Sequence, residues 1–189
     1  MDPKHTEEQW SRRFFLQSSL VGMALLGCRL LFPEVASAAS LQEEGRIRLY
    51  NVSRDERLTV RYRSRSGRYD REALKDINYL LRCNHTKHVH RIDIRLLEFL
   101  NTIEKRAARG KEVHISSGYR SPAFNERLFV EQGAVLNSLH TKGKAMDFFI
   151  PSVRLSSVHR AATTLKLGGV GYYPKQGFIH IDTGHPRFW

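Results

Sequence analysis

Polar and apolar residues alternate over Ile47 to Val52 and again over Leu58 to Tyr62, with polar residues between. That period of two predicts a β-hairpin. The spacing then changes to that of helices. Residues 70–82 place Leu74, Ile77, Asn78 and Leu81 on one face, with Asp70 as the cap. A second helix is predicted from Asp93 to about Ala108, its stripe formed by Leu96, Leu97, Leu100, Ile103 and Ala107 and its stop by Gly110. Val113 and Ile115 mark a short strand that runs into Ser117-Gly118-Tyr119-Arg120. Ser121-Pro122 is a cap followed by a first-turn proline, so a third helix should extend to about Glu131 and end at Gly133. A strand over Ala145 to Ile150 and a helix over Leu155 to Leu167 follow. Two further strands, Gly169 to Tyr173 and Phe178 to Thr183, are joined by the turn Pro174-Lys175-Gln176-Gly177. The order predicts a single α+β domain, with a mainly antiparallel sheet flanked by helices.

The first 38 residues stand apart from this pattern. Paired Arg12-Arg13 is followed by Phe15 and Leu16, then by an apolar run from about Leu20 to Phe32 that Arg29 interrupts, then by Ala36-Ser37-Ala38. Charged, apolar and small residues in that order are those of an export signal, and the arginine pair resembles the twin-arginine motif. A single membrane anchor and a lipoprotein modified at Cys28 are the alternatives. The expected division is a signal over 1–38 and a working domain over 39–189, with residues 40–45 as a short linker.

Charge sharpens that division. The 189 residues hold 31 Lys+Arg against 19 Asp+Glu, a formal net charge of +12. Residues 1–38 contain four basic and four acidic side chains, so 27 Lys+Arg and 15 Asp+Glu remain and the domain keeps the whole +12. An anionic partner is implied. The basic runs Arg61 to Arg71 and Lys105 to Lys111 lack the interleaved aromatic platform of a nucleic-acid site, and export argues against one, so they read as solvated faces. Two cysteines, Cys28 and Cys83, exclude a disulfide-dense scaffold.

Candidate chemistry concentrates in the second half. Asp147 lies in an apolar strand beside Phe148 and Phe149, where a carboxylate needs a partner. His180 and Asp182 are two apart in a strand and share a face, opposite Ile179 and Ile181. His140 ends the preceding loop. Two imidazoles and a carboxylate make a three-ligand catalytic zinc set. The spacing fits a salt-bridged His–Asp network as well.

The string Ser138, His140, Gly143, Ala145, Asp147 resembles that of the zinc D-Ala-D-Ala carboxypeptidases and vancomycin-resistance dipeptidases, whose fold is shared with the Hedgehog signalling domain. Ile115 to Ser121, His140 to Phe148 and Gly168 to Gly184 are similar to the twin-arginine-exported murein endopeptidase family, strongly over about 113–189. The resemblance implies one zinc ion held by His140, Asp147 and His180, and an arginine, Arg120, near the scissile carbonyl or a substrate carboxylate. It implies a periplasmic hydrolase that cuts amide bonds in peptidoglycan cross-links, notably those joining meso-diaminopimelate residues, with an envelope adaptor as a further partner. Trimming of stem peptides by a carboxypeptidase and a non-catalytic wall-binding module are the other readings.

One departure matters. Many members of the wider group carry an acid three residues before the last histidine, where this chain has Gly177. Asp182 then stands either as the general base or as a hydrogen-bond partner of a ligand histidine, and His185 is a more distant candidate. Tyr119, Ser138 and Tyr173 are the candidate substrate contacts, with packing the alternative for the tyrosines. His85, His88 and His90 read as a solvated loop, and His114 and His159 as structural or surface residues.

Overall fold

The computed structural model describes residues 43–189. The arginine pair, the Ala36–Ala38 boundary and Cys28 lie outside the described residues. The expected linker is shorter than drawn, because strand β1 spans Gly45–Asn51 and Lys105 engages both the Glu43 carboxylate and the Glu44 carbonyl.

The remaining elements are β2 (Glu56–Arg63), α1 (Arg71–Leu80), α2 (Ile94–Ala107), β3 (Val113–Ser117), α3 (Pro122–Gln132), a 3-10 turn (Leu139–Lys142), β4 (Ala145–Phe149), α4 (Leu155–Leu165), β5 (Gly169–Tyr173), β6 (Phe178–Asp182) and β7 (Arg187–Phe188). The expected caps form. Asp70 accepts from the amides of Glu72 and Ala73, Asp93 from Arg95, and Ser121 from Phe124. Gly133, at φ 68°, ends α3. Helix α4 stops two residues early because Lys166 adopts the left-handed conformation at φ 53°. The 3-10 turn and β7 were not expected: each is too short to carry a period.

One seven-stranded sheet has the order β2-β1-β3-β4-β6-β5-β7. It is antiparallel except where β1 meets β3 and β5 meets β7. Alternation assigns the two faces. Ile47, Leu49, Val113, Ile115, Met146, Phe148, Val170, Ile179 and Ile181 are buried and form one core with Ile77, Leu96, Leu97, Leu100 and Val158 of α1, α2 and α4. The opposite face carries Arg46, Arg48 and Tyr50 on β1, His114 on β3, Asp147 and Phe149 on β4, and His180 and Asp182 on β6. Helix α3 fully buries only Asn125, whose side-chain amide donates to the carbonyls of Val135 and Leu136 and ties the following loop back. Cys83 is a buried free thiol.

Candidate metal centre

The 3-10 turn presents His140. Ser138 caps it by accepting from the His140 amide at 3.3 Å, and Gly143 closes it at φ 63°. The ring is 2 % exposed. Its Nδ1–H donates to the Gly118 carbonyl at 2.7 Å, which turns Nε2 inward. Strand β4 supplies Asp147, directly opposite His180 of β6 in the antiparallel register. Asp147 Oδ1 lies 2.8 Å from His180 Nδ1 and 3.3 Å from His140 Nε2. Ligand atoms of all three residues lie within 4.8 Å of one another, the one such cluster among the described residues.

The outer ring nitrogen of His180 is held as well. Nε2 lies 3.2 Å from Asp182 Oδ2. Asp182 is fully buried, and its oxygens accept from Arg187 Nη1 and Nη2 at 3.0 and 2.7 Å, from the Gly184 amide at 2.8 Å and from the Gly169 amide at 3.3 Å. Arg120 leaves the β3–α3 loop, donates through Nε to Ser117 Oγ at 2.9 Å and pairs through Nη2 with Asp147 Oδ2 at 2.5 Å.

These contacts set the charges. Burial opposes ionisation of Asp147, but His140 and His180 outweigh it and hold the carboxyl well below the usual range. Burial likewise opposes ionisation of Asp182, and the hydrogen bonds from His180 and Arg187 outweigh it. Desolvation lowers the pKa of His140. For His180 burial also favours the neutral ring, yet its bonds to Asp147 and Asp182 raise the pKa overall. The anionic Asp147 and the neutral His140 are in the form that binds a metal, whereas the proton favoured on His180 would be released on binding.

The trio opens onto a cavity of about 460 Å³. Arg120, Ser138, Tyr173 and Trp189 line it. Tyr173 stacks on Phe178 at 4.6 Å, and its hydroxyl accepts from Trp189 Nε1 at 2.8 Å. Trp189 lies 5.5 Å from the His180 ring, and Arg187 stands 4.9 Å from the indole. Gly171 admits the indole, since a Cβ there would come within 2.8 Å of it.

The geometry brings together His140, Asp147, His180, Asp182, Arg120, Ser138 and Tyr173. Tyr119 lies elsewhere. It is 8 % exposed, stacks on His90 at 4.6 Å, and is absent from the cavity wall. His185 is exposed and outside the wall too. Gly177 occupies the β5–β6 turn at φ 78° with open space beside it, so the turn itself favours glycine there. Asp147 and Asp182 are the only carboxylates lining the cavity among the described residues. Sequence reasoning missed Arg187, which lies in a strand too short to signal itself, and Trp189 just beyond that strand. His85 stacks on Phe124, and His159 on Tyr172.

Comparison with known proteins adds to this geometry. The family model described as "Peptidoglycan L,D-endopeptidase MepK" matches residues 39–189. A Haemophilus influenzae protein named "Probable peptidoglycan L,D-endopeptidase MepK" is 38% identical over 173 residues, covering 90% of this chain and 92% of the relative. The Escherichia coli K12 and Shigella flexneri proteins named "Peptidoglycan L,D-endopeptidase MepK" are each 34% identical over 170 residues, covering 89% of this chain and 93% of the relative. No solved structure matches the chain.

Proposed function

This chain belongs to the peptidoglycan L,D-endopeptidase MepK family, and from that premise we propose that it is a zinc peptidase that hydrolyses amide bonds in the peptide cross-links of peptidoglycan. The family's peptidases set the reaction class. The observation that carries the metal is the convergence of His140 Nε2, His180 Nδ1 and one Asp147 oxygen, with both outer imidazole nitrogens already held. Three nitrogen and oxygen donors that leave a position open suit catalytic zinc. When bound, zinc supplies Lewis acidity toward water and a scissile carbonyl.

The chain's own residues supply the rest. The Gly118 carbonyl and the Asp182 carboxylate fix the orientation of the two imidazoles, an arrangement that also raises their basicity as ligands. Asp182 has its oxygens occupied by Arg187, two backbone amides and His180, so its role is to hold the ring. Arg120 stands in the cavity wall beside Asp147 and directs positive charge toward the negative charge that develops on a carbonyl oxygen, or toward a stem-peptide carboxylate. Tyr173 and Trp189 give the cavity an aromatic side against which a peptide can lie. Export by the twin-arginine pathway to the periplasm belongs to the same reading, supported by the order of residue types in the first 38 positions.

Digestion of purified cross-linked peptidoglycan, read by mass spectrometry, tests this. Cross-linked muropeptides should disappear, a chelator should stop the loss, and added zinc should restore it. The His180→Ala variant should bind no zinc and cleave nothing; a metal-replete, fully active variant would sink the site. Release of terminal residues with cross-links intact would turn the reading to a carboxypeptidase. Binding without release would turn it to a wall-binding module.

A further inference from the structure

The sheet face that carries the metal ligands does not end at them. On β1 its outward residues are Arg46, Arg48 and Tyr50, and on β2 they are Arg57, Thr59 and Arg61. The register sets Arg46 opposite Arg61, Arg48 opposite Thr59 and Tyr50 opposite Arg57. All four arginines are exposed. Arg57 pairs with Asp55 at 3.2 Å and Glu112 at 3.5 Å, and Arg61 with Glu44 at 3.5 Å. Arg46 and Arg48 have no carboxylate within salt-bridge distance among the described residues.

An aromatic row joins this patch to the site. The Arg57 guanidinium lies 4.0 Å from the Tyr50 ring centre, Tyr50 meets His114 edge-on at 4.7 Å, and His114 meets Phe149 at 5.1 Å. Phe149 shares its strand face with Asp147, two residues away. Three inter-strand steps separate β2 from β4, roughly 14 Å at ~4.8 Å each.

Like charges placed directly opposite one another destabilise a sheet. Guarding an open edge explains charges on β2, the edge strand. It does not explain like charges set directly opposite one another at Arg46 and Arg61, because charges of either sign guard an edge; β1 itself pairs with β3 only from Leu49 to Asn51. We propose that the Arg46–Arg48–Arg61 face and the Tyr50–His114–Phe149 row form a second binding strip, which holds insoluble peptidoglycan by its stem-peptide carboxylates and feeds it toward the metal centre. The occupant rests on the endopeptidase reading above. Charge complementarity selects an anionic polymer, and a strip continuous with the site favours the polymer that is cut there. The strip raises the local concentration of substrate and loses strength as salt screens it.

The test replaces Arg46, Arg48 and Arg61 together with glutamine, alongside a matched lysine triple. Both are surface changes, and thermal melting checks that the fold survives. Co-sedimentation with purified sacculi should fall in the glutamine triple, persist in the lysine triple, and fall for the wild type in high salt. The ratio of cleavage on sacculi to cleavage of a short soluble cross-linked fragment should drop about tenfold in the glutamine triple. Unchanged sedimentation, or an equal drop on both substrates, overturns the strip. So does arginine-dependent binding to anionic lipid vesicles with none to sacculi. If the glutamine triple loses sedimentation while no form of the protein cleaves either substrate, the strip stands and the endopeptidase reading fails.

Discussion

Asp182 accepts hydrogen bonds from Arg187 at both oxygens and from two backbone amides at Oδ1, and Oδ2 also faces the outer nitrogen of His180. A carboxylate so enclosed acts on the reaction through the ring it orients. Replacing it with asparagine keeps the size but removes the charge that fixes the imidazole. Metal affinity should fall about 10–100-fold, read by competition with a chromophoric chelator, and activity should recover at saturating zinc. A general base would behave in the opposite way, with full metal occupancy and turnover lost at every zinc concentration. The same logic applies to Arg187, whose guanidinium spans Asp182 and leans on Trp189. Tyr119, stacked on His90, lies outside the cavity wall.

At the scale of elements, one short turn carries His140, the first of the proposed ligands. Leu139–Lys142 is too brief to be stable alone, and it is held by Ser138 at its start and Gly143 at its end. Gly143 adopts φ +63°, and a Cβ there would lie 2.3 Å from the Arg91 carbonyl oxygen. Neither the backbone angle nor the space tolerates a side chain. Gly143→Ala should therefore destabilise the protein by about 2 kcal/mol, measured as a lower urea midpoint. It should also weaken metal binding, because His140 sits in the turn that must shift. A destabilised variant that binds zinc as tightly as the parent would show that the turn does not position His140.

At the scale of the whole molecule, polar contacts tie the hairpin to the segment that follows the first helix. Glu56 of β2 receives two bonds from Arg82, at 2.6 and 2.8 Å, and one from Arg54 at 3.1 Å. The hydrogen bonds from Arg82 are the main cause that lowers its pKa from 4.5 to about 2. A depressed carboxylate contributes stability above its unfolded pKa and loses it as pH falls through the folded one. The gap in urea midpoint between wild type and Glu56→Gln should thus be widest above about pH 5 and close toward pH 2. The comparison must be between the two proteins, since a chain of net charge +12 also suffers growing self-repulsion as its carboxylates protonate. A third of the Glu56 side chain is exposed, so solvent screening keeps the effect modest.

The sequence by itself determined what is local. Helix caps at Asp70, Asp93 and Ser121, the break at Gly133, and the side of each strand on which a residue lies follow from chemistry within a few positions. Local chemistry placed His180 on one face with Asp182 and required a partner for Asp147, while the choice of His140, Asp147 and His180 as proposed ligands came from the family resemblance. Strand order was not legible, because pairing joins residues far apart in the chain and no period encodes the neighbour. Only the tertiary structure set β6 against β4, so that His180 meets Asp147, and brought β7 beside β5, so that Arg187 closes on Asp182. The same long-range pairing laid β2, β1, β3 and β4 side by side. That ordering set Arg61, which the sequence reads as solvated charge, opposite Arg46 on the sheet face that also carries Asp147 and His180.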